Sequence, residues 1–176
     1  MGATRKRILC VDDSRDTCEL YTVVLSDYEV ISAGTVAEAL RIARHNLLDL
    51  YLLDALLPDG TGLTLCREIR SFDPNTPVLF VSGAGGQRDQ DEAIDAGAQA
   101  YLIKPVAVFD LQVAVESLIR QAISRSLEAR CIEIHAIREA IPEYLSSLDE
   151  RATRSLPITG AAAPATLRST VVRGSE

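Results

Sequence analysis

Tryptophan is absent from this 176-residue chain, which has only three phenylalanines, five tyrosines and one methionine. With 47% apolar residues a core can still form, so it must be largely aliphatic. Lysine is scarcer still: Lys6 and Lys104 are the only two, against 16 arginines. Basic charge is also short overall, and a net charge of −7 excludes the basic face of a general nucleic-acid binder. No apolar run approaches the ~20 residues of a membrane span. The apolar stretch after Arg5-Lys6-Arg7 stops at Asp12, too soon for a signal peptide, and Lys6 stands where a myristoylation site needs Ser or Thr. The four cysteines, Cys10, Cys18, Cys66 and Cys131, form no C-x-x-C pair and have no histidine at zinc-site spacing. They read as reduced, mostly buried thiols of a cytoplasmic protein.

What the chain does contain is an alternation of short apolar runs and helical periods. Arg7–Val11 precedes an amphipathic stretch from Ser14 to Ser26. Tyr28–Ser32 precedes Val36–His45, with Thr35 as its cap and Ala37, Leu40, Ile42 and Ala43 as its apolar face. Leu48–Asp54 leads to Leu63–Ser71, Pro77–Ser82 to Asp89–Ala96, and Ala100–Ile103 to Val108–Arg125. Five strand-then-helix units predict an α/β fold, a five-stranded parallel sheet with helices on both faces. Leu50–Leu53 and Val78–Val81 are apolar without alternation, as central strands covered on both sides should be. Right-handed crossovers place functional loops at the carboxyl ends of such strands, and Asp12, Asp13, Asp54, Ser82 and Lys104 all fall there.

Those residue types suit a cation-dependent phosphoryl site. One aspartate before a helix is enough for a cap; two adjacent carboxylates repel and call for a divalent cation. Asp54 ends a buried strand, where an unpaired carboxylate is costly, so it needs a cation and an ammonium to stay ionised. Ionised, it can act as a nucleophile and carry a phosphoryl group as an acyl phosphate. A lysine among arginines points to a compact ammonium at Lys104, aimed by the turn at Pro105. Ser82 can cap a helix or donate to a phosphoryl oxygen. Gly83-Ala84-Gly85-Gly86 fits neither the dinucleotide fingerprint nor the Walker A pattern and reads as a hinge. His45 and His135 read as helix-surface residues.

Asp12-Asp13, Asp54 followed by Pro58 and Gly62, Ser82, and Lys104-Pro105 together resemble the receiver domain of bacterial two-component response regulators, the CheY-like family. The resemblance implies a flavodoxin-like sheet of strand order 2-1-3-4-5 over residues 1–125. It implies a phosphorelay switch, not an enzyme in its own right, in which Asp54 accepts phosphate from a sensor histidine kinase or a histidine phosphotransfer protein. Mg²⁺ or Mn²⁺ would be held by Asp12, Asp13, Asp54 and the Leu56 carbonyl. Lys104, Ser82 and Gly83 would bind the phosphoryl group, Ser82 and Tyr101 would form the switch, and Pro58, Gly62 and Pro105 would shape the turns. Thr61 departs from the family pattern, where an acidic or amide residue is common. Leu56 and Ala84 are apolar where side chains influence dephosphorylation, which predicts slow self-hydrolysis. A phosphohydrolase of the haloacid dehalogenase type would want an acid at the Leu56 position.

Beyond residue 125, Leu127, Cys131, Ile134, Ile141, Leu145 and Leu148 predict an amphipathic helical extension over 126–150, kinked or restarted at Pro142. This helix either packs on its own receiver domain or serves dimerisation or partner docking. Residues 151–176, rich in Ala, Thr, Ser, Pro and Gly, predict a disordered tail. Nothing in 126–176 matches a DNA-binding domain, so output through protein contacts is expected: a downstream protein or a homodimer, with no membrane partner. The alternative is a receiver-like scaffold or dimerisation module that works without phosphorylation.

Overall fold

The computed structural model describes residues 5–154, with side chains described through residue 142. The element order is β1 (Arg7–Val11), α1 (Arg15–Val24), β2 (Glu29–Ala33), α2 (Val36–His45), β3 (Leu50–Leu53), α3 (Gly62–Phe72), β4 (Val78–Ser82), α4 (Gln87–Asp95), β5 (Ala100–Ile103) and α5 (Val108–Arg154). A two-stranded antiparallel ribbon, Leu56–Leu57 against Gly60–Thr61, lies between β3 and α3. The five main strands form one parallel sheet of order β2-β1-β3-β4-β5, the flavodoxin-like arrangement expected.

Period-two alternation divides the central strands between two cores. Ile8 and Cys10 of β1, Leu50 and Leu52 of β3, and Leu79 and Val81 of β4 pack toward α1 and α5. Leu9 and Val11, Tyr51 and Leu53, Val78 and Phe80 pack toward α2, α3 and α4. Both faces are covered, which is why these runs are apolar throughout. Each fully buried large side chain contributes ~1.5–3 kcal/mol relative to exposure.

Helix α2 corrects one expectation. Thr35 does cap it, accepting from Glu38 N at 3.1 Å. Its buried face, however, is Val36, Ala39, Ile42 and Ala43; Ala37 is exposed and Leu40 is only partly buried. With two alanines competing for the stripe, the stagger is set by which one meets the sheet. At the end of α4, Gly97 adopts a φ of 105°. Its N–H donates to Ile94 O and Ala98 N–H to Ala93 O, a Schellman-type closure suited to glycine.

The chain divides after Arg130, inside α5. Up to that point, Leu111, Val115, Leu118 and Ile119 of α5 are buried. Beyond it, Ile132, Ile134, Ile137 and Ile141 are exposed. The helix continues through Pro142 without a restart and extends to Arg154, past the expected boundary at residue 150. A proline removes one helical hydrogen bond but leaves the turns on either side free to continue. The rest of the expected tail, 155–176, lies outside the described residues. Among the described residues no helix is long and apolar enough to cross a membrane.

Candidate functional site

Strand order decides where the site can form. From β1 the chain goes to β2 on one side and then returns to β3 on the other, a switch point at the carboxyl ends of β1 and β3. Val11 and Leu53 are register partners, so the next residues, Asp12 and Asp54, emerge side by side. Asp54 N–H donates to Val11 O at 2.8 Å, and Asp12 N–H to Ala33 O at 3.1 Å. On the far side, Ser82 pairs with Ile103, and Lys104 N–H donates to Ser82 O at 2.9 Å.

The carboxylates of Asp12, Asp13 and Asp54 each present an oxygen within 4.8 Å of the others. Asp12 is buried, Asp54 partly buried and Asp13 exposed. Helix capping does not account for the acidic pair, because Ser14 caps α1 by accepting from Thr17 N. Asp12 instead accepts from Ser14 N at 2.9 Å with one oxygen and from Lys104 Nζ at 2.7 Å with the other. Lys104 Nζ also lies 3.4 Å from Asp54. Burial pushes the Lys104 pKa down, but the hydrogen bond to Asp12 and the charges of Asp12 and Asp54 outweigh it and raise it. Three carboxylates against one ammonium leave the ionised cluster two negative charges in excess. An all-oxygen donor set with that excess fits a hard divalent cation.

The turns are specific. Pro58 and Asp59 form the turn of the ribbon, between the paired Leu57 and Gly60. A Cβ at Gly62 would lie 2.1 Å from Asp54 O and 2.9 Å from Phe80, so this close approach requires glycine. Thr61, the departure from the family pattern, caps α3 by accepting from Thr64 N at 3.1 Å. Leu56 is 70% exposed, two residues beyond Asp54. The Lys104–Pro105 peptide is cis.

Ser82 is buried and accepts from Ala84 N at 3.3 Å; α4 is capped elsewhere, at Gly86. Gly83 next to it is exposed. The Tyr101 ring stacks on Phe80 with centroids 5.9 Å apart, and its hydroxyl donates to Ala84 O. Ala84 thus links Ser82 to Tyr101 through its two backbone groups.

Two features were missed in the sequence. Asp59 accepts from Val36 N at 2.7 Å and Ala37 N at 3.0 Å, tying the Asp54 loop to the start of α2. Those amide hydrogen bonds, Ala37's foremost, hold its carboxyl below the usual range. Cys10 and Cys18 bring their sulfurs to 3.9 Å, although residues 10 and 18 carry no pairing motif.

Comparison with known proteins agrees with this geometry. The response regulator receiver domain family matches residues 8–116. The transcriptional regulatory protein PrrA of Mycobacterium tuberculosis is 34% identical over 122 residues, 68% of this chain and 52% of PrrA. The luminescence regulatory protein LuxO of Vibrio campbellii is 32% identical over 121 residues, 68% of this chain and 27% of LuxO. The chain thus spans about half the length of PrrA, or less of LuxO. Among solved structures, a CheY-like receiver domain protein from Methanospirillum hungatei superposes with a TM-score of 0.67 at 28% identity, covering 69% of this chain and 99% of that one. Fold, strand-end carboxylates and sequence match converge: the chain belongs to the response regulator receiver domain family of two-component systems.

Proposed function

We propose that this protein is a phosphorylation-dependent switch of a two-component phosphorelay, working in the cytoplasm and accepting a phosphoryl group on Asp54. The observation that carries this reading is the convergence of Lys104 Nζ on Asp12 and Asp54 beside a three-carboxylate cluster.

The donor would be the phosphohistidine of a sensor kinase or a histidine phosphotransfer protein. An Asp54 carboxylate oxygen attacks phosphorus; the O–P bond forms as the N–P bond breaks, and the departing imidazole nitrogen takes up a proton. Asp12, Asp13 and Asp54, with the Leu56 carbonyl, would hold Mg²⁺ or Mn²⁺, which when bound neutralises charge on the phosphoryl oxygens. Lys104, already pointed at Asp54, pairs with the phosphoryl group, and the Gly83 amide adjoins the same edge. Pro58, Gly62 and Pro105 hold the loops in place. The Ser82 hydroxyl turns from Ala84 N to the phosphoryl group. Ala84 moves with it, and Tyr101, bonded to Ala84 O, carries the change to the surface of β5. Output then runs through protein contacts, with a downstream protein or a second copy of the chain.

The test is Mg²⁺-dependent labelling by a small acyl-phosphate donor, comparing wild type with Asp54→Ala by intact mass. One added phosphoryl group, absent from the variant, supports the switch. A folded, cation-binding protein that takes no label turns the assignment to a phosphorylation-independent scaffold.

A further inference from the structure

Directly below the acidic loop, on the α1 and α5 side of the sheet, lie two thiols with no part in the site described above. Cys10 Sγ and Cys18 Sγ are 3.9 Å apart, one on the buried strand β1 and one in the first turns of α1. Cys18 Sγ also donates to the Asp12 carbonyl at 3.5 Å. Both side chains are packed in one aliphatic cluster, Cys10 1% and Cys18 5% exposed. The other two cysteines differ. Cys66 lies in the opposite core and donates to Ala96 O at 3.3 Å, and Cys131 is exposed.

We infer that Cys10 and Cys18 are an oxidisable dithiol, a modification site that hydrogen peroxide converts to an internal disulfide. Two observations carry this: the facing sulfurs, and their position on either flank of the loop that bears Asp12 and Asp13. A disulfide needs the sulfurs at about 2.0 Å, so they must close roughly half of their separation. Cys18 provides the movement. It sits near the frayable start of α1, whereas Cys10 is fixed in a strand paired on both sides. Peroxide is about as small as water and needs only that opening to reach Cys18.

The chemistry balances. The Cys18 thiol takes one oxygen from hydrogen peroxide, giving a sulfenic acid and one water. The Cys10 thiol attacks that sulfur; the Sγ–Sγ bond forms, the S–O bond breaks, and the hydroxyl leaves with the Cys10 proton as a second water. Overall the two sulfurs give up two electrons, which reduce peroxide to two waters. A thiol reductant reverses the step by exchange.

Closure has a consequence for the neighbouring loop. It removes the Cys18 thiol's hydrogen bond to Asp12 O and ties together β1 and α1 across Asp12 and Asp13. On the proposed function, which this consequence alone depends on, the oxidised protein accepts phosphate about tenfold more slowly, because small displacements of positioning groups are costly.

The experiment uses the full chain carrying Cys131→Ser, which removes the exposed thiol as a source of cross-linked dimers. After treatment with peroxide, free thiols are alkylated and the protein is digested with trypsin. Cleavage at Arg15 separates Cys10 from Cys18, so their disulfide joins peptides 8–15 and 16–41. The expected result is that joined peptide, two hydrogens lighter than its parts, with Cys66 recovered alkylated. Recovery of both thiols free, or of Cys18 oxidised beyond the sulfenic acid with Cys10 unpaired, would overturn the inference. So would equal pairing in urea-unfolded chain, since sequence proximity alone would then explain it. Acyl-phosphate labelling of reduced and oxidised samples gives the second reading. Equal rates would overturn the coupling, whereas no label in the reduced sample would refute the proposed function and leave the disulfide map decisive.

Discussion

Lys104 Nζ lies 2.7 Å from an oxygen of Asp12, joining residues 92 positions apart at the ends of β5 and β1. Asp12 is 4% exposed, so its charge depends on partners inside the protein. Lys104→Met removes the ammonium that lies against both Asp12 and Asp54. Loss of one partner from this partly buried pair predicts a drop of about 1–3 kcal/mol in metal-free unfolding free energy by urea titration. Lys104→Arg keeps the charge and should recover most of the stability but not the labelling rate, because a planar fork cannot replace a compact ammonium. Equal labelling by Lys104→Arg and wild type would refute the positioning role.

Cation binding should appear as stability. Metal-free protein holds three carboxylates within 4.8 Å of one another, and a divalent cation relieves their repulsion only in the folded chain. Mg²⁺ at one hundred times its Kd should therefore stabilise by about 2.7 kcal/mol. Asp13 is exposed, so Asp13→Asn can remove charge without opening a cavity. That variant should match or exceed wild-type stability without metal and lose the Mg²⁺ increment. A full increment in Asp13→Asn would place the cation elsewhere.

Gly62→Ala tests how the Asp54 loop is held. The added methyl would sit 2.1 Å from Asp54 O, a backbone atom with no flexible side chain to yield. Overpacking of this kind costs ~1–3 kcal/mol. Thermal unfolding should show the loss, and labelling should slow as well because the carbonyl that must move belongs to the phosphoacceptor. Full activity in a destabilised variant would separate Gly62 from the site.

The strand ends were legible because residue type and position agreed there. Asp12, Asp54, Ser82 and Lys104 each close an apolar run, and the parallel sheet brings them to one edge. What escaped notice depended on long-range partners. Asp59 looks like any turn aspartate until α2, 23 residues away in sequence, presents its amides. The Tyr101 bond to Ala84 O and the Cys10–Cys18 approach are equally silent in one dimension. The stagger of α2 failed for a different reason: Ala37 and Ala39 are alike in hydropathy, and only the sheet distinguishes them.

Acid should expose a second ionic anchor. Asp73 accepts from Tyr51 OH at 2.8 Å and from Thr76 N at 3.1 Å. Burial raises its pKa, but hydrogen bonds from Thr76, Tyr51 and Asn75 outweigh it and lower the pKa in the folded protein. A carboxyl depressed on folding contributes stability above its unfolded pKa of about 3.9, and that contribution is lost as pH falls through the folded value. Unfolding free energy measured across that window should fall less steeply in Asp73→Asn than in wild type. Parallel curves would mean that Asp73 is not linked to folding.

The lifetime of the acyl phosphate is set by what can orient water near Asp54. Leu56 is 70% exposed two residues beyond it, and Ala84 is partly buried across the β4–α4 loop. Neither side chain can accept or donate a hydrogen bond, so an attacking water has no polar side chain at these two positions to align it. Leu56→Asn supplies an amide at a position already open to solvent, with little core to disturb. A gain of ~1.4 kcal/mol in transition-state stabilisation corresponds to about tenfold in rate. Phosphoprotein purified away from donor should therefore decay about tenfold faster in Leu56→Asn, with labelling rate and stability unchanged. Identical decay in the two proteins would move control of hydrolysis away from Leu56, toward the enclosure of the phosphoryl group by Lys104 and Ser82.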